Sequence, residues 1–310
     1  MTIHTAVLKK EILQYLDPHQ NENFIDGTIG EGGHTKLILE RTVPDGKVLG
    51  IDLDPAQIEN DKWTLADCKD RLILENNSYV NLKEIVERLN FGPVNGILLD
   101  VGMSSVQLEG SKKGFSFQAD QNLDMRYDDS QNTLTAEKIL NEWPQQEIEK
   151  IIKEYGEEKF VRKIAEQIVE SRKSGRIKST LQLVEIIKQA IPSRFQRGKI
   201  HCATRTFQAL RIAVNDELGN LERVLPQAVS VLSPGGRLAV ISFHSLEDRI
   251  VKNTFRELEN PCNCPKELPC VCNKVATVKV ITKKPIYPTD EELQNNPRSR
   301  SAKLRIIEKL

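Results

Sequence analysis

The stretch Asn23-Phe-Ile-Asp-Gly-Thr-Ile-Gly-Glu-Gly-Gly-His34 decides how this chain is read. Asn23 to Asp26 has the apolar centre of a short strand, the glycines at 27, 30, 32 and 33 break it into a turn, and a helix follows from His34 to Arg41. A strand that runs through a glycine turn into a helix opens a parallel α/β sheet. The alternation then repeats. Lys47–Asp52, Arg71–Glu75 and Asn95–Asp100 read as strands, with helices starting at Pro55 and running from Asn81 to Leu89. Strands this apolar imply a sheet covered on both faces.

After Asp100 the pattern becomes helical: Thr135–Glu142, Gln145–Tyr155, Glu157–Arg172 and Leu181–Ala190 carry apolar residues at helical spacing. A long helical pattern, Thr204–Val231, leads through Ser233-Pro-Gly-Gly236 to a strand at Arg237–Ser242 and a helix at Ser245–Glu259. Thr277–Thr282 and Ala302–Glu308 are expected to pair as an antiparallel edge. The expected fold is α/β, a Rossmann-like doubly wound sheet formed by residues 1–108 and 204–310, with an all-helical subdomain, residues 109–203, inserted.

The 310 residues carry 44 Lys and Arg against 44 Asp and Glu, a balance that hides segregation. Residues 1–108 sum to −7 and 109–158 to −6, whereas 159–211 sum to +10 and 274–310 to +5. Concentrated basic residues attract polyanions, so nucleic acid is a candidate partner, against the plain alternative of a solvated helix face. No apolar run approaches the roughly 18 residues of a membrane span, and Met1–Glu11 does not read as a secretory signal. A cytoplasmic location is expected.

Doubly wound sheets bind ligands beyond the carboxyl ends of their strands, here Gly27–His34, Asp52, Tyr79 and Asp100. A glycine turn after the first strand and an acid ending the second fit an adenosine-containing cofactor, the acid accepting from the ribose hydroxyls. Electrostatics separates two candidates. Asp26, Glu31, Asp52 and Asp100 would repel the pyrophosphate of NAD and suit the sulfonium and ammonium of S-adenosylmethionine. The glycines also depart from the GxGxxG spacing.

The chain resembles the ribosomal RNA small-subunit methyltransferase H family. The resemblance lies in His4–Leu8, Asp26–His34, Gly50–Pro55, Leu99–Leu108, Gly114–Phe117, Leu123–Arg126, Thr206–Asn215 and Ser242–Arg249, so it covers nearly the whole chain. It implies methylation of the exocyclic N4 of a cytidine in the decoding region of 16S ribosomal RNA, within the small ribosomal subunit or its precursor. It also implies cofactor contacts at Gly32, Gly33, His34, Asp52, Tyr79, Asp100 and Gln107; of these, His34 and Gln107 come from the resemblance alone.

A cytosine amine is a poor nucleophile, so transfer needs alignment with the methyl and an acceptor for the departing proton. Asp100 leads as acceptor. His244, after the fifth strand, and Asn215 are further candidates, against readings as a loop-bonded histidine and a helix-surface asparagine. The target base must leave its stack. Candidate RNA contacts are Phe115, Phe117 and Arg126, together with Arg194, Arg197, Lys199, Arg205 and Arg211, although both phenylalanines could simply pack the inserted subdomain. Cys262-Asn-Cys264 and Cys270-Val-Cys272 could hold zinc or be free thiols. A DNA amino methyltransferase is disfavoured because Asp100-Val-Gly-Met replaces the Asp/Asn-Pro-Pro-aromatic pattern. The intact glycine loop disfavours a binding protein without turnover.

Overall fold

The computed structural model describes residues 6–103, 111–130, 132–196, 198, 200–262, 264–265 and 271–310. They form two compact units, Met1–Gly102 with Leu218–Leu310, and Met103–Glu217. The chain passes through α1 (Lys9–Leu16), β1 (Phe24–Asp26), α2 (Gly33–Arg41), β2 (Val48–Asp52), α3 (Pro55–Thr64), β3 (Leu72–Asn76), α4 (Leu82–Leu89) and β4 (Val94–Asp100). The second unit holds α5 (Ala136–Glu142), α6 (Gln145–Gly156), α7 (Val161–Ser171), α8 (Thr180–Ala190) and α9 (Thr204–Asn215). Then come α10 (Glu217–Val231), β5 (Leu232–Ser242), α11 (Ser245–Glu259), β6 (Val278–Val280), α12 (Asp290–Asn295) and β7 (Lys303–Lys309).

The seven strands make one sheet in the order β3-β2-β1-β4-β5-β7-β6. The first five are parallel, and β7 runs antiparallel to both β5 and β6, as the β-rich ends of the sequence lead one to expect. Successive strand residues point to opposite faces, and both faces are covered. Ile25, Leu49, Ile97 and Leu99 pack with Leu82 and Ile85 of α4, Leu221 and Val224 of α10 and Phe255 of α11. Their neighbours Phe24, Val48 and Leu98 pack on the other face with Ile12 and Leu16 of α1 and Ile38 and Leu39 of α2. Between Val94, which pairs with Leu232, and Gly96, which pairs with Arg237, the register slips. The extra residues Ser233–Gly236 bulge there, and Gly235 takes φ +80°, a conformation glycine adopts at no steric cost.

The helical unit has its own core, in which Ile139, Ile148, Ile152, Ile164, Ile168 and Leu183 are all fully buried. Three expectations are corrected here. The pattern from Thr204 to Val231 is not one helix, because Asp216 adopts the left-handed conformation, with φ 49° and ψ 41°, and divides α9 from α10. The return to the sheet unit therefore falls at residue 218 and not at 204. The reason is packing: Phe207, Leu210 and Val214 of α9 bury in the helical core. Likewise α7 begins at Val161 and not at 157, since Glu157 is itself left-handed (φ 47°) and ends α6.

Candidate active site

The glycine turn after β1 is built around two residues of positive φ, Gly30 at +55° and Gly32 at +70°. At Gly32 a Cβ would come within 2.8 Å of Leu65 Cδ1 and 3.3 Å of Asp61 Oδ1, so conformation and space both require glycine. At Gly30 a Cβ would meet only Thr28 O, at 3.8 Å, which leaves the outer side of the turn open to a ligand. Gly33 and His34 start α2, and His34 is buried with its Nε2 4.0 Å from Asp100 Oδ2. Tyr79 opens a short 3₁₀ turn capped by Ser78. Its Cβ lies 3.7 Å from where a Cβ of Gly27 would sit.

Carboxyls close the site from three strand ends. Asp26 is buried; it accepts from Thr35 Oγ1 at 2.8 Å and from Thr28 N at 3.3 Å. Asp52 accepts from Gly30 N at 3.0 Å and Asp54 N at 2.9 Å, one bond to each oxygen. Each oxygen keeps a further lone pair for a ribose diol. Asp100 donates its N–H to Thr28 Oγ1 at 2.7 Å, and its Oδ1 accepts from Gly102 N at 3.2 Å.

A fourth acid, Asp61 on α3, is fully buried behind Gly32, and its Oδ2 has no hydrogen-bond partner among the described residues. The sequence reading missed it because it looks like a helix-surface acid. The available signal was spacing: Gln57, Asp61 and Leu65 form an i, i+4, i+8 row, and all three are buried.

Among the described residues none of these four carboxyls pairs with Lys or Arg, and the result is a cluster of reluctant anions. Burial pushes Asp26 up to about 6, despite the hydrogen bonds from Thr35 and Thr28, and Asp52 adds to the rise. Burial, then the charges of Asp52 and Asp26, pushes Asp61 up to about 7. Burial also lifts Asp100 to about 7 against the Gly102 hydrogen bond, with Asp26 and Glu247 contributing, and it raises Asp52 as well. A donor set of this kind fits the cationic sulfonium and ammonium of S-adenosylmethionine and repels a pyrophosphate. Gln107 lies outside the described residues.

His244 is taken up by the start of α11. Its Nδ1 accepts from Glu247 N at 3.4 Å, while Glu247 Oε2 accepts from the backbone N–H groups of His244 and Phe243, which makes a capping box. Its Nε2 lies 3.0 Å from Glu247 Oε1. In the structure His244 thus serves as the N-cap of α11.

In the helical unit, the candidate substrate residues mostly hold that unit together. Asn215 accepts from Tyr127 N at 2.9 Å and donates to Met125 O at 2.7 Å and Arg211 O at 3.0 Å, so its amide staples a loop to α9. Arg126 grips both oxygens of Asp124 at 2.7 Å and donates to Asn132 O at 2.7 Å. Arg211 forms a fork with Glu217 at 2.8 and 2.9 Å, and Arg205 donates to Glu157 O at 3.3 Å. Phe115 is buried and stacks on Tyr127 at 5.4 Å, while Phe117 packs on His201 at 4.8 Å and Phe207 at 4.9 Å. For both rings packing is the observed role. Arg194 differs, being exposed over the ring of a half-exposed Phe195, 4.8 Å from its centroid. Arg197 and Lys199 lie outside the described residues.

Known proteins match this chain over its full length. A protein named ribosomal RNA small subunit methyltransferase H from Geobacter sulfurreducens is 50% identical over 311 residues, covering 99% of each chain. Proteins of the same name from Heliobacterium mobile and Carboxydothermus hydrogenoformans are 47% and 48% identical over 309 and 308 residues, covering 99% of this chain and 99% and 98% of theirs. A crystal structure titled a putative rRNA-methylase from Clostridium thermocellum superposes with a TM-score of 0.44 at 13% identity over the whole of both chains, a likeness too loose to add to the sequence match. The family model described as MraW methylase family matches residues 1–310, and the chain belongs to that family.

Proposed function

We propose that this methylase transfers the methyl group of S-adenosylmethionine to the exocyclic N4 of a cytidine in the decoding region of 16S ribosomal RNA. The substrate in this reading is the small ribosomal subunit or its precursor, met in the cytoplasm. The observation that carries it is the cluster of Asp26, Asp52, Asp61 and Asp100 around an open glycine turn, unpaired with Lys or Arg among the described residues. Its support on the substrate side is the full-length likeness to relatives named for small-subunit ribosomal RNA.

S-adenosylmethionine supplies an electrophilic methyl on a positively charged sulfur. The residues of this chain supply charge and position. Gly32, Gly33 and His34 shape the turn, Asp52 suits the ribose hydroxyls, and Tyr79 offers a ring for the adenine. The carboxyl cluster favours the cationic end. The target amine, swung out of its stack, gives a proton to Asp100 as it takes the methyl. A carboxylate lifted to about 7 is a stronger base than an ordinary one, and at neutral pH it is still substantially ionised.

Mapping modifications in small-subunit RNA from cells with and without the gene tests the assignment. The N4-methylcytidine signal in the decoding region should vanish without the gene and return with it. An unchanged signal defeats the substrate assignment, and purified subunits against free RNA then tell which form is methylated.

A further inference from the structure

Three cysteines of the sheet unit converge in the connection between α11 and β6. The sulfurs of Cys262, Cys264 and Cys272 lie within 4.8 Å of one another, and none of the three is joined in a disulfide. Cys270 lies outside the described residues. Among the described residues from Asn260 to Thr277 none is buried, and Val271 and Val275 are 82% and 76% exposed. Among the described residues its ends are tied by Asn260 N donating to Arg256 O at 2.9 Å, Thr277 N to Leu258 O at 3.1 Å, Leu310 N to Thr277 O at 3.1 Å and Val280 N to Glu259 Oε1 at 2.8 Å. Ordering the middle of such a connection costs conformational entropy that no apolar core offsets.

The spacing of the sulfurs identifies what could offset it. Thiolates around tetrahedral zinc, each about 2.3 Å from the metal, lie roughly 3.8 Å from one another, so the observed triangle needs to contract by only about 1 Å. A disulfide would use two of the three sulfurs and leave the third beside the bond, ready to exchange with it. One soft-tolerant divalent cation satisfies all three. We propose that Cys262, Cys264 and Cys272 bind a single structural zinc ion that pins this connection between α11 and the edge strand β6. Each thiol releases its proton to solvent as its Zn–S bond forms, and one further donor completes the four-coordinate shell. No residue of the cofactor site takes part.

The test uses the full chain, purified under reducing conditions from zinc-supplemented cells without a metal-affinity step. Elemental analysis should find about one zinc per chain, and X-ray absorption should place sulfur about 2.3 Å from it. The double variant Cys262→Ser with Cys264→Ser should hold less than about a tenth as much while binding S-adenosylmethionine normally in calorimetry, which shows that it is folded. Cys68→Ser should keep its zinc. Wild-type protein that holds less than about half a zinc after equimolar zinc is added overturns the proposal, as does a double variant that holds as much as wild type. The wild-type measurements decide the matter even if the variant does not fold.

Discussion

The acid cluster at the strand ends of the sheet unit treats charge differently from the helical unit. In the helical unit Arg126 answers Asp124 and Arg211 answers Glu217. Burial alone would raise Asp124, but the hydrogen bonds and charge of Arg126 outweigh it and hold the carboxyl below its usual range. At the strand ends of the sheet unit Asp26, Asp61 and Asp100 are buried or half-buried with no Lys or Arg partner among the described residues, and all three are raised. A fold that needed these acids only for stability would pair them. The sheet unit also matches charge where it serves the fold, as in Arg305 with Asp248 at 2.6 Å and Arg237 with Glu308 at 3.1 Å; the strand-end cluster alone is left without Lys or Arg among the described residues, as suits a ligand that brings the cation.

The strongest way to break this comparison is Asp100→Asn. The neutral isostere can still accept from Gly102, so the fold should survive, with stability equal to or above wild type at pH 8 in urea titration. Methyl transfer should fall by about 10²-fold or more, as expected for loss of a proton acceptor. Turnover at the wild-type rate with normal cofactor binding would remove Asp100 from the chemistry. The converse substitution, Arg211→Met, should leave Glu217 without its fork. It should destabilise the fold by about 2–3 kcal/mol, the scale of hydrogen bonds to charged groups, while cofactor affinity is unchanged. A neutral effect on melting would mean that the helical unit does not depend on its matched charges.

A weaker effect should come from neutralising Arg194, Arg197 and Lys199 together. RNA binding should drop by roughly tenfold, and the slope of affinity against salt should shallow by about 2, near 0.7 for each lost phosphate contact to single-stranded RNA. Equal loss of cofactor affinity would assign these residues to the fold. The last prediction concerns pH. Because the folded-state values of Asp26, Asp61 and Asp100 are raised above the unfolded ones, the native state holds more protons. Stability without cofactor should therefore have its full contribution from these groups below about pH 4 and decline as pH rises towards 7. Asp61→Asn should flatten that decline by at most about 1.4 kcal/mol per pH unit. A stability profile rising over this range would contradict the raised values.

The sheet was legible because its signals are local. A run such as Asn95–Asp100 has to be a strand, and the glycines at 27–33 have to turn. The failures share a cause, since each depends on what a residue meets elsewhere in its unit. Asp216 ends α9 by a backbone conformation that no helical period reveals. Arg126 and Arg211 read as outward-facing donors, and Asn215 as an acceptor for the amine, until their partners at 124, 217 and 127 are seen. His244 was readable in hindsight, since Glu247 three residues on is the mark of a capping box.

The position of β7 sets a rule for biosynthesis. It is made after β6 yet lies between β5 and β6, joined to β5 from Arg237↔Glu308 to Ser242↔Lys303. While a nascent chain has not passed residue 303, the long β5 therefore presents a bare edge, and β6 has no strand to join. Transcripts cut short in this region would yield a sheet with an unsealed side, open to pairing with other chains and to quality-control proteases.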